Sequence, residues 1–463
     1  MELSGQTGFL ISLFLLLGCS LAAGELTLRL GQLALVGQLL VGIVLGPTLL
    51  GPYIGLSTVS PELGAVQLLA TFFLLFLAGL EMGPAEVLQM PASTIVLGLC
   101  IFVLPFLITF PVALAVSPGI GTLTSLFVAV TLAVTALPIM AVMVKEFGLV
   151  GRQMGNVLMG AALVNELVAV TVFAVLLQIN NAGSHANWLS FATALGSTAL
   201  FLAIVFGVYL LLRYAHSRPW WAATTDSFSR TVRTREAGFA LIMVLSLGAA
   251  LLSQYLGLTF VIGAFYAGLL VTPESVGVKT FEALRSVLYV IMWGLFLPLL
   301  FAITGLQTNL RLLFTGPAEI TFLALLVAAM VSKVGVGAIF TRLQGWSGPD
   351  SVALGFLVNS RGAVNIAIAV ILLTDGILNT FWFTVVVSVG LVCTIIAPIG
   401  AVAAWKSTPE SRADLFQRAP SLSVRSVLLA PAEPLPRTEG GGVPARPGSS
   451  EPPSTTGKPP DTG

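Results

Sequence analysis

Apolar residues run in long blocks separated by short polar stretches, from near the N-terminus to about position 405. Blocks of 18 or more apolar residues have the length that an α-helix needs to cross about 30 Å of hydrocarbon. Thirteen segments emerge, at about 8–23, 32–49, 62–81, 92–116, 121–144, 152–178, 189–214, 236–256, 258–272, 284–304, 317–341, 349–373 and 380–404. The pattern predicts an all-α polytopic membrane protein with about 13 transmembrane helices.

Two of these segments read as broken. The fifth carries Thr131, Thr135 and Pro138 at its middle, and the twelfth carries Asn359, Ser360, Arg361, Gly362 and Asn365. Proline removes a backbone donor and clashes with the turn before it. Glycine and short polar side chains tolerate unwinding. Backbone groups freed at that depth need protein or water partners, so such breaks line cavities. If segments 1–6 form one repeat and 8–13 an inverted second, with segment 7 linking them, both breaks fall at position five. Discontinuous helices at matching positions of inverted repeats point to a transporter binding site.

Composition agrees with a membrane chain: 56% of residues are hydrophobic and 9% charged, against about 25% charged in a soluble domain. The net charge of +1 carries no stripe for nucleic acid. Cys19, Cys100 and Cys393 lie inside apolar segments, and His185 and His216 lie in or beside loops. This spacing predicts neither a disulfide framework nor a resident metal, and nothing calls for a cofactor. No nucleophile–base pair marks an enzyme. The first segment lacks a basic n-region and reads as a retained span.

Lysine and arginine set the orientation. With the N-terminus outside, 18 of the 21 basic residues fall in inner loops and the tail, and Arg311 alone falls outside. The remaining two, Lys333 and Arg361, are embedded in segments 11 and 12. Residues 1–405 form the transmembrane domain. Residues 406–463, rich in Pro, Gly, Ser and Thr, read as a disordered cytoplasmic tail.

Of the 20 acidic residues, Glu166 alone is clearly mid-span, in VLMGAALVNELVAVTVF. A charge at that depth costs about 2.5–3.5 kcal/mol on insertion scales and is functional by default. The plain alternative is a structural salt bridge. A carboxylate can hold a proton or a dehydrated monovalent cation, with Asn165 and unwound carbonyls as further ligands.

Several longer stretches carry a family resemblance. They are GQLLVGIVLGPTLLGP (37–52), FLLFLAGLEM (73–82), TLAVTALPIMAVMVKEFGL (131–149), LVNELVAV (163–170), LPLLFAITGLQTNL (297–310) and NSRGAVNIAIA (359–369). The chain resembles, over residues 10–404, the monovalent cation:proton antiporter-2 group of the sodium/hydrogen exchanger fold. That group includes Kef-type systems, NapA-type antiporters and plant cation/proton exchangers.

The resemblance implies a NapA/NhaA-like fold, a homodimer in the plasma (inner) membrane, and exchange of protons for K⁺ or Na⁺ by alternating access. It assigns the ion and proton carboxylate to Glu166 and a ligand role to Asn165, with Thr135 and Lys333 completing the site. Thr131, Pro138, Arg361, Asn359 and Asn365 would support it. The family's paired residues are usually Asn-Asp, Asp-Asp or Gln-Asp, where this chain has Asn165-Glu166. An acid that plant-type members carry shortly after their Asn-Thr-Arg-Gly is Asn365 here. One carboxylate favours electroneutral exchange. A proton-coupled solute symporter, with Arg361 holding an anion, and a transport-inactive sensor remain open on the same scaffold.

Overall fold

The structure is a computed structural model that describes residues 5–56, 58–81, 90–117, 119–181, 188–216, 237–256 and 258–406. Its regular elements are all helical. The tail, His185 and the loop tryptophans Trp220 and Trp221 lie outside the described residues.

Five helices lead into the first break: α1 (Gly5–Arg29), α2 (Ala34–Leu45), α3 (Pro61–Leu80), α4 (Ala92–Val116) and α5 (Thr122–Ala133). Beyond it run α6 (Leu137–Glu146), α7 (Gln153–Asn181), α8 (Trp188–His216), α9 (Ala237–Tyr255) and α10 (Phe260–Leu270). Next come α11 (Val278–Ile291), which continues through a π-helical turn at Met292–Phe296 into α12 (Leu297–Gln307), and α13 (Pro317–Leu343). The last are α14 (Gly348–Val358), α15 (Ala363–Thr374) and α16 (Thr380–Lys406).

Among the described residues 11 helical stretches are long and apolar enough to cross a membrane. The expected count of about 13 differs because segments 2 and 9 become helices of 12 and 11 residues. At 1.5 Å per residue each covers little more than half of the hydrocarbon. Gly46 and Pro47 follow the end of α2. Thr272 caps a new turn at Pro273–Val276 just after α10.

The helices sort into two bundles joined by α8. One holds α1, α2, α3, α9, α10, α11 and α12. The other holds α4, α5–α6, α7, α13, α14–α15 and α16. The packing repeats along the chain as an inverted repeat requires. α2 against α12 answers α10 against α3, and α4 against α5 answers α13 against α14. The closest approaches obey the same relation. A methyl on Gly42 would overlap the Ala302 carbonyl, and one on Gly79 would overlap the Phe265 carbonyl. Glycine lets the backbones touch where no hydrophobic force separates helix from lipid. Outward, α1 and α8 expose Phe14, Leu26, Phe206 and Leu211, an apolar face suited to lipid.

Candidate functional site

The first break comprises Val134, Thr135 and Ala136. Pro138 is in the opening turn of α6, where its missing N–H costs nothing. The break therefore precedes the proline. Two half-helix ends result, one with orphan carbonyls and partial negative charge, the other with orphan donors and partial positive charge.

Side chains from three other helices satisfy these ends. The Asn165 amide spans the gap: Nδ2 donates to the Ala133 carbonyl (3.2 Å) and Oδ1 accepts from the Thr135 amide (2.7 Å). Lys333 Nζ donates to the same Ala133 carbonyl at 2.6 Å, placing its amine at the negative end of α5. Asn365 Nδ2 donates to the Thr131 carbonyl. Thr131 Oγ1 is tied back to the Phe127 carbonyl at 2.7 Å. At the positive end, Glu166 Oε2 accepts from the Leu137 amide at 2.9 Å.

Glu166, Asn165, Thr131, Thr135 and Lys333 are fully buried. Glu166 Oε1 has no hydrogen-bond partner. Among the described residues the only ion pair is Arg29 with Glu25, at 3.0 Å. The structural salt bridge considered for Glu166 is therefore not formed here.

The second break, Asn359 to Gly362, lies against the first. Thr135 Oγ1 donates to the Val358 carbonyl at 3.0 Å, and Gly362 packs so closely on Ile139 that any side chain there would collide with it. Thr394 of α16 holds the backbone of Arg361, accepting from its amide at 3.0 Å and donating to its carbonyl. The guanidinium is 1% exposed. Its Nη1 reaches Cys393 Sγ at 2.8 Å and its Nη2 reaches the Ala329 carbonyl at 3.3 Å. A cavity beside Arg361 and Gly362 is lined by Leu35 and Leu39 of α2, so this break borders the boundary between the bundles.

The structure thus brings together all nine residues singled out from the sequence, in differing parts. Asn165 and Lys333 spend their polar atoms on the broken backbone, and Glu166 keeps one oxygen free. Thr394 and Cys393, the partners of Arg361, carried no sequence signal beyond an apolar helix. Glu81, at the end of the third segment, caps α3 in the other bundle.

Residues 10–406 match the family described as the transmembrane sodium/hydrogen exchanger. Cation/H(+) antiporter 15 of Arabidopsis thaliana is 29% identical over 85% of this chain, which spans 48% of that protein. The Na(+)/H(+) antiporter NhaS4 of Synechocystis is 26% identical, and the match covers 84% of this chain and 94% of that one. The fold matches the sodium proton antiporter MjNhaP1 of Methanocaldococcus jannaschii with a TM-score of 0.58 at 14% identity, over 85% of this chain and 96% of the other. The chain belongs to the transmembrane sodium/hydrogen exchanger family.

Proposed function

We propose that the chain is a secondary transporter that exchanges protons for a monovalent cation, K⁺ or Na⁺, across the plasma membrane. The observation that carries this reading is Glu166, a fully buried carboxylate with Oε2 held by the Leu137 amide and Oε1 unpartnered. A proton or a dehydrated cation on Oε1 would neutralise the charge, and the two would compete for one atom. Such competition at one group couples the two fluxes.

Access would alternate by movement of one bundle against the other. The outer half-helix α15 packs on α3 and α12 of the opposite bundle, while the inner halves α6 and α14 pack on α7, α13 and α16 of their own. With the N-terminus outside, as the basic residues favour, this asymmetry suits a site closed to the exterior. A homodimer would hold the other bundle still.

Asn165 is neutral and committed to the backbone, so one carboxylate serves one cation and the exchange is electroneutral. A current under a membrane potential would overturn that point, since each net charge moved is worth about 2.3 kcal/mol per 100 mV. The reading itself is tested in proteoliposomes with a pH-sensitive dye in the lumen. K⁺ or Na⁺ added outside moves protons in the natural chain and not in Glu166→Gln. Flux that survives the substitution would remove Glu166 from the site.

A further inference from the structure

Buried polar atoms without partners concentrate at the second break. Asn359 and Ser360 are fully buried. Both amide atoms of Asn359 and the hydroxyl of Ser360 lack hydrogen-bond partners. Burial without a partner costs about 1–3 kcal/mol per group, so such groups call for an explanation in function.

Their placement supplies one. The residue before Asn359 bonds to Thr135 through its carbonyl at 3.0 Å. The glycine two residues after Ser360 packs on Ile139, with Ala136 beside it. Asn359 and Ser360 are therefore clamped, fore and aft, onto the stretch whose Leu137 amide holds Glu166. Glu166 Oε1 is likewise unpartnered. By contrast, both amide atoms of Asn165 and the Nδ2 of Asn365 are engaged with backbone.

We infer that Asn359 Oδ1 and Ser360 Oγ are ligands, from the second broken helix, of the same cation that Glu166 binds. The inference rests on the antiporter reading above. One charged oxygen and two neutral ones would then replace part of the cation's hydration shell. The cation site then spans both breaks, and rearrangement of either changes its affinity.

The test uses the full chain in proteoliposomes. Initial proton flux is measured against K⁺ and Na⁺ concentration for the natural chain, Ser360→Ala and Asn359→Ala, with thermal unfolding of each in detergent. Each variant should raise KM for the transported cation about tenfold, the loss of one contact to a charged group. Ser360→Ala should unfold at or above the natural temperature, because a buried hydroxyl with no partner contributes no bond to lose and only a desolvation cost. That variant keeps the test decisive if Asn359→Ala fails to fold. Unchanged KM values in Ser360→Ala, or a fall in maximal rate with KM unchanged, would each overturn the inference and leave the antiporter standing. Absence of cation-driven flux in the natural chain would instead remove the antiporter reading beneath it.

Discussion

The two broken helices solve the same problem in opposite ways. Each interrupts a membrane-depth helix and frees backbone groups that lipid cannot satisfy. At the first break the surroundings fill the gap: Asn165 bridges it, Lys333 and Asn365 cover carbonyls, and Glu166 takes the Leu137 amide. At the second, Thr394 secures the backbone of Arg361, but Asn359, Ser360 and Arg361 Nε keep unpartnered polar atoms. A satisfied break is a rigid platform. An unsatisfied one has capacity left for a ligand. The contrast separates substitutions that should cost stability from those that should alter transport alone.

The largest structural effect is expected at the bridge. Asn165→Ala removes two hydrogen bonds and leaves the Thr135 amide unpaired in a buried site. At about 1–3 kcal/mol for an orphaned group plus about 1 kcal/mol for a lost bond, the variant should lose about 2–4 kcal/mol and unfold at a clearly lower temperature. Asn165→Asp keeps the acceptor for Thr135 and should recover part of the loss. Unfolding of Asn165→Ala at the natural temperature would erase the distinction between the breaks.

A smaller effect is expected where the breaks meet. Thr135→Val keeps the volume and removes the donor to the Val358 carbonyl, for about 1 kcal/mol of stability. The first break would stay intact, since the Thr135 amide still bonds to Asn165. Cation KM should nevertheless rise, because residues 359 and 360 lose one of their two attachments. A variant with lowered stability and unchanged KM would make the contact a packing detail.

The sequence revealed the parts of the site better than their connections. Hydrophobic runs located the helices, because the lipid imposes one length and one composition on each. Pro138 and the Asn-Ser-Arg-Gly stretch located both breaks, since their chemistry is local. Glu166 stood out by depth alone. The shortness of α2 and α10 was harder to read, because apolar residues continue past the last helical turn. The bonds that define the roles are non-local: Asn165 acts 30 residues back, Lys333 acts 200 residues back, and Arg361 meets α16. No local pattern encodes such pairings. For that reason the two bonds that Asn165 makes to the broken backbone had no signal in the sequence.

Lys333 allows the most discriminating test, because two large terms oppose each other there. Its amine donates a 2.6 Å bond to the Ala133 carbonyl, and for the protonated amine a bond of this kind is worth about 1.5–3 kcal/mol. Removing a fully buried charge also returns its desolvation cost, which is several kcal/mol per ion. In Lys333→Met the Ala133 carbonyl keeps its bond from Asn165, and the apolar stem is replaced at similar length. The terms should cancel to within about 1 kcal/mol, leaving the unfolding temperature nearly unchanged. Transport should still respond, because the negative end of α5 then lacks its cation and the field around Glu166 changes. Thermal unfolding and proton flux measured on the same preparation separate these outcomes. Unchanged unfolding with altered flux makes Lys333 an electrostatic element of the site. A large drop in stability would make it a structural cap, as much a part of the platform as Asn165.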